Sequence, residues 1–119
     1  MDVQAPARTA SVLVAVGSPQ VREALAALIG SVLGFRVVGE AATSDQAMQI
    51  ARADHPRVAL VDEALLETVH DQAMAEVIVA IGARADGARR AQAAGACSYI
   101  QIGASPADIL DALNTALAA

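Results

Sequence analysis

Five runs rich in branched aliphatic residues recur along the chain: SVLVAV (Ser11 to Val16), FRVVGE (Phe35 to Glu40), RVALVD (Arg57 to Asp62), EVIVAI (Glu76 to Ile81) and CSYIQI (Cys97 to Ile102). Between them lie alanine-rich segments whose apolar residues repeat with helical spacing. This alternation predicts βα units wound into a parallel sheet. Runs one, three and four are almost continuously apolar, as strands covered on both faces should be, so they are expected at the centre of the sheet.

The helix signals agree. Ser18 followed by Pro19 supplies a cap and a pre-set first turn before VREALAALIGSVL, in which Val21, Leu25, Leu28 and Val32 form an apolar stripe. Thr43 with Gln46 reads as a capping box for AMQIARA, which ends before His55-Pro56. Ser105, Pro106 and Asp108 start a last helix with the stripe Ile109, Leu110, Leu113, Ala116 and Leu117. Asp86 is expected to cap GARRAQAA, and Gly95 to stop it. The third crossover, EALLETVHDQAMA from Glu63 to Ala75, is near the minimum length for a parallel connection, so its helix should be shortened.

With 119 residues, 55% of them hydrophobic, the chain has enough apolar content for one core, and a single domain over 10–119 is expected after a short, flexible N-terminal tail at 1–9. The tail carries Asp2 and Arg8 and has no long apolar stretch, so it does not read as a signal peptide. No run approaches the roughly 20 apolar residues that span a bilayer, and no membrane association is expected. Net charge is -5, with eight arginines and no lysine, which argues against direct nucleic-acid binding through phosphate attraction. Cys97 is the only cysteine; that excludes an internal disulfide, suits a cytoplasmic location, and reads as a buried structural thiol at the start of an apolar strand.

Ligands of open α/β sheets bind outside the carboxyl ends of the strands. Here those ends read Val16-Gly17-Ser18, Asp62-Glu63, Ile81-Gly82-Ala83 and Ile102-Gly103-Ala104, and only one of them is acidic. Asp62 is a helix cap, part of a ligand or partner surface, or a nucleophile. Glu63 beside it should point to the opposite face. A single carboxylate is a poor magnesium site, so no metal or other cofactor is expected. Gly17 and Gly82 suggest close backbone approach. No spaced glycines or Gly-Lys-Ser/Thr mark a nucleotide loop. His55 and His70 lack metal-ligand spacing, and a triad of Ser18, His70 and Asp62 has no support from spacing.

The fragments VLVAVGSPQVREALAALI, FRVVGEAATSDQAMQIA, HPRVALVD, EVIVAIGA and AAGACSYIQIGASPADILDAL, in this order, resemble the receiver domain of bacterial two-component response regulators. The likeness is greatest to the subgroup with a helix-turn-helix DNA-binding output. It implies a doubly wound α/β fold, (βα)5 and flavodoxin-like, with parallel strand order 2-1-3-4-5. By this resemblance the two metal-binding acids after the first strand are replaced by Val16 and Gly17. The phosphoacceptor matches Asp62, the hydroxyl residue ending strand four is Ile81, and the lysine ending strand five is Ile102. The aromatic switch position is kept as Tyr99.

Phosphoryl transfer needs its developing charge neutralised, and each missing electrostatic contact typically removes about 3 kcal/mol. The implied function is therefore a pseudo-receiver: not an enzyme, acting without phosphorylation as a dimerisation or protein-interaction module in signal transduction and transcriptional control. A homodimer, a protein partner or a C-terminal DNA-binding domain outside this chain is the expected company. The alternatives are a small-molecule sensor that uses the apolar former phosphorylation pocket, or a weakly active phosphoacceptor at Asp62.

Overall fold

The computed structural model describes residues 10–32, 34–66, 75–83, 87–93 and 96–118. Its elements alternate as β1 (Ala10–Ala15), α1 (Pro19–Gly30), β2 (Phe35–Ala41), α2 (Ser44–Asp54), β3 (Val58–Asp62), α3 (Glu63–Leu66), β4 (Val77–Gly82), α4 (Ala88–Ala93), β5 (Ser98–Gln101) and α5 (Pro106–Ala118). The strands form one sheet in the order β2-β1-β3-β4-β5, and all four pairings are parallel. The three nearly continuous apolar runs are its centre, as expected. Strand order reverses between β1 and β3, which makes the loops after these two strands the switch point of the fold.

Alternation along each strand divides the core into two layers. Val12, Val14, Val58, Leu60 and Val79 face α1 and α5, where they meet Leu25, Ile29 and Leu113. Leu13, Ala15, Ala59, Val61 and Ala80 face the other way, towards Ala47 and Ala51 of α2, Leu66 of α3 and Ala91 of α4. The second layer is built largely from alanine, so its helices can approach the sheet closely.

Local signals set the helix ends. The Ser18 hydroxyl accepts the Val21 N–H at 3.4 Å, with Pro19 opening α1. Thr43 accepts the Gln46 N–H at 3.2 Å, while Gln46 Oε1 accepts from Ala42 at 2.8 Å, one residue before the reciprocal partner a strict capping box would use. Ser105 accepts the Asp108 N–H at 3.2 Å. His55 closes α2 in a left-handed conformation, φ 47°. The α1 stripe also includes Ile29, fully buried and absent from the expected set.

Cys97 corrects the sequence reading. It is exposed rather than buried, because β5 is the outer strand of the sheet and its first paired residue is Ser98, opposite Val79. The cap at Asp86, the stop at Gly95, His70, the tail at 1–9 and most of the third crossover lie outside the described residues. Among the described residues no helix is long and apolar enough to cross a membrane.

Candidate functional site

Asp62 is the last residue of β3 and stands half-buried at the switch point. Its Oδ1 accepts the Ala64 N–H at 3.1 Å, and its Oδ2 accepts the Gly17 N–H at 3.4 Å. One carboxylate thus starts α3 and ties the β1–α1 loop to the end of β3. Gly17 is exposed, and a Cβ added there would lie 3.7 Å from Asp62 Oδ2, an ordinary contact. Close approach does not require glycine at this position, contrary to the sequence reading.

The residues expected to gather around Asp62 do not share one pocket. Val16 and Ile81 are 1% and 2% exposed and belong to the core layer that faces α1 and α5. Ile102 lies beyond β5 and is 44% exposed, although its N–H reaches the Gly82 carbonyl at 2.6 Å. The three are thus not buried together: Val16 and Ile81 are core residues and Ile102 is exposed. The carbonyl of Val16 accepts from Arg22 Nη1 at 3.0 Å, and Arg22 Nε lies 3.8 Å from Glu40 Oε1. An arginine therefore serves the end of β1 from one turn into α1, a contact that the sequence reading missed.

Glu63 turns away from Asp62. Its Oε2 accepts the hydroxyl of Tyr99 at 3.3 Å, across the end of β4, and its Oε1 is buried without a hydrogen-bond partner. Space for this arrangement comes from two glycines. A Cβ at Gly82 would overlap the Glu63 carboxylate and the Tyr99 hydroxyl, and one at Gly87 would overlap the Tyr99 ring. The close approach expected at Gly82 is present, and its cause is Glu63.

Among the described residues no group of three or more His, Cys, Asp and Glu side chains is placed to hold a metal ion. A groove of about 550 Å³ lies elsewhere, between α1 and the outer strand β2, with Ala27, Gly30, Glu23, Arg36 and Glu40 among its lining residues.

No family model matches the sequence, and no curated protein matches it. Solved structures do. A two-component response regulator of the LuxR family from Aurantimonas sp. SI85-9A1 superposes with a TM-score of 0.79 at 26% identity, over 92% of this chain and 86% of that one. The signal receiver domain of NarL from Mycobacterium tuberculosis gives a TM-score of 0.81 at 21% identity, covering 93% and 98%. The response regulator domain of Thermotoga maritima CheB gives 0.79 at 21% identity, covering 94% and 98%.

Proposed function

We propose that this chain, whose fold is that of a response-regulator receiver domain, works without phosphorylation, as an interaction module in signal transduction. The observation that carries the reading is the employment of Asp62. Both of its oxygens already accept backbone N–H groups, from Gly17 and Ala64. None of Val16, Gly17, Ile81 and Ile102 supplies the acid, hydroxyl or lysine that the family resemblance places at these positions.

A phosphoryl group on Asp62 would displace at least one of the two backbone bonds. It would then rely on neutral neighbours for charge compensation, which phosphoryl chemistry does not tolerate well. The module is accordingly not an enzyme and does not take magnesium. Its expected output is contact: with a second copy of itself, with a protein partner, or with a C-terminal DNA-binding domain that makes the link to transcription, in the cytoplasm. Its charge of -5 leaves nucleic acid to such a domain.

Incubation with magnesium and acetyl phosphate, or with magnesium and beryllofluoride, tests the first half. The expected result is no mass gain and no change in Tyr99 resonances, and a stoichiometric response that disappears in Asp62→Asn would overturn the reading. Light scattering from micromolar to near-millimolar protein tests the pairing. Concentration-dependent growth towards a dimer is expected, and a strict monomer throughout rejects self-association.

A further inference from the structure

The geometry points to Glu63 as a built-in latch that holds Tyr99 turned inward and so sets the β4–α4–β5 face by an internal hydrogen bond. Three features converge on it. The Glu63 carboxylate crosses the end of β4 and accepts the Tyr99 hydroxyl at 3.3 Å. Gly82 at the end of β4 lacks the Cβ that would overlap both groups, and Gly87 just before α4 lacks the Cβ that would overlap the ring. The second carboxylate oxygen, Oε1, is buried with no hydrogen-bond partner, so the side chain is held in place at the expense of its own solvation.

The physical logic is a choice between two positions for one ring. Turned in, Tyr99 packs against the layer of Ala80 and Ala91, and its hydroxyl meets a carboxylate, the stronger kind of acceptor. Turned out, it would leave a notch lined by two glycines and a carboxylate with neither oxygen served by the phenol. The anion that favours the inward position belongs to the chain. The acceptor is part of the fold, so the face around Tyr99 is set from within. The hydrogen bond stands on the geometry alone; only its consequence for output rests on the receiver reading.

The chain has one tyrosine and no tryptophan, so its intrinsic fluorescence reports Tyr99 alone. In the full chain, Glu63→Ala is expected to move the ring about tenfold towards the exposed position, the factor carried by one hydrogen bond to a charged group. Acrylamide quenching of the fluorescence then rises and the ring resonances shift. Glu63→Gln keeps an acceptor oxygen and should fall between the two. If Glu63→Ala weakens the fold, Tyr99→Phe gives the same information from the other side, since it removes one oxygen and keeps the ring. The Glu63 carboxyl carbon resonance must move in that variant. Wild-type quenching and ring shifts in folded Glu63→Ala, or an unmoved Glu63 carboxyl resonance in Tyr99→Phe, would sink the latch. A response of the native chain to beryllofluoride tests a different claim: it ends the phosphorylation-independent reading, and the Glu63 variants still decide the latch.

Discussion

Asp62 and Glu63 are neighbours in the chain with separate tasks, because consecutive side chains at the end of β3 leave on opposite sides of the sheet. Asp62 serves backbone: the Gly17 and Ala64 N–H groups. Its removal should therefore be felt as a lost cap. Asp62→Ala is expected to destabilise the domain by about 1 kcal/mol, and Asp62→Asn by less, because the amide keeps one acceptor oxygen for Ala64. Urea unfolding followed by circular dichroism checks this, and equal losses for the two variants would contradict the capping role. At Gly82 the prediction has a different mechanism. An alanine there cannot share space with the Glu63 carboxylate and the Tyr99 hydroxyl, so Gly82→Ala should cost about 1–3 kcal/mol by overpacking and expose Tyr99 to quencher. Gly82→Ala with Tyr99 still shielded and stability unchanged would mean that the notch is looser than its geometry implies.

At the scale of elements, the ends of β1 and α3 explain which changes the switch point accepts. Val16 is 1% exposed in the core layer, so Val16→Asp would bury an unpaired carboxylate and cost about 2–4 kcal/mol. Gly17 is exposed and has room for a Cβ, so Gly17→Ala should stay within about 0.5 kcal/mol of the native chain. Thermal melts separate the two, and a well-folded Val16→Asp would refute the assignment of this side chain to the core. The helix starts were legible in the sequence because Ser18, Thr43 and Ser105 act within three residues of themselves. The strand order was legible through resemblance and through the unbroken apolar runs of the central strands. What could not be read is what depends on distant chain segments: the meeting of Glu63 with Tyr99, 36 positions apart, and the exposure of Cys97 and Ile102; the guanidinium of Arg22 on the Val16 carbonyl is local but depends on which rotamer the helix start allows. An apolar strand pattern predicts burial, yet Cys97 and Ile102 lie just outside the paired residues of β5, the outer strand of the sheet.

For the whole molecule, the two layers of the core differ in kind, and that difference predicts opposite sensitivities. On the side of α1 and α5 the sheet presents valine and leucine to Leu25, Ile29 and Leu113, so that layer is held by large side chains. Leu113 is fully buried, and Leu113→Ala should open a cavity and cost about 2–5 kcal/mol. On the other side Ala47 and Ala51 of α2 lie 0% and 4% exposed against the sheet, where closeness rather than bulk supplies the contact. There the damaging change is enlargement: Ala47→Leu should force α2 off β1 and β2 and cost about 1–3 kcal/mol. Denaturant midpoints at unchanged slope measure both, since a constant slope shows that the surface exposed on unfolding is the same. A stabilised Ala47→Leu would mean that the alanine layer contains unfilled space. The lower half of that layer, through Ala80 and Ala91, is also the wall against which Tyr99 packs. Overpacking at α2 should therefore leave the Tyr99 fluorescence nearly unchanged while lowering stability, because α2 sits over β1 and β2, at the opposite end of the sheet from β5.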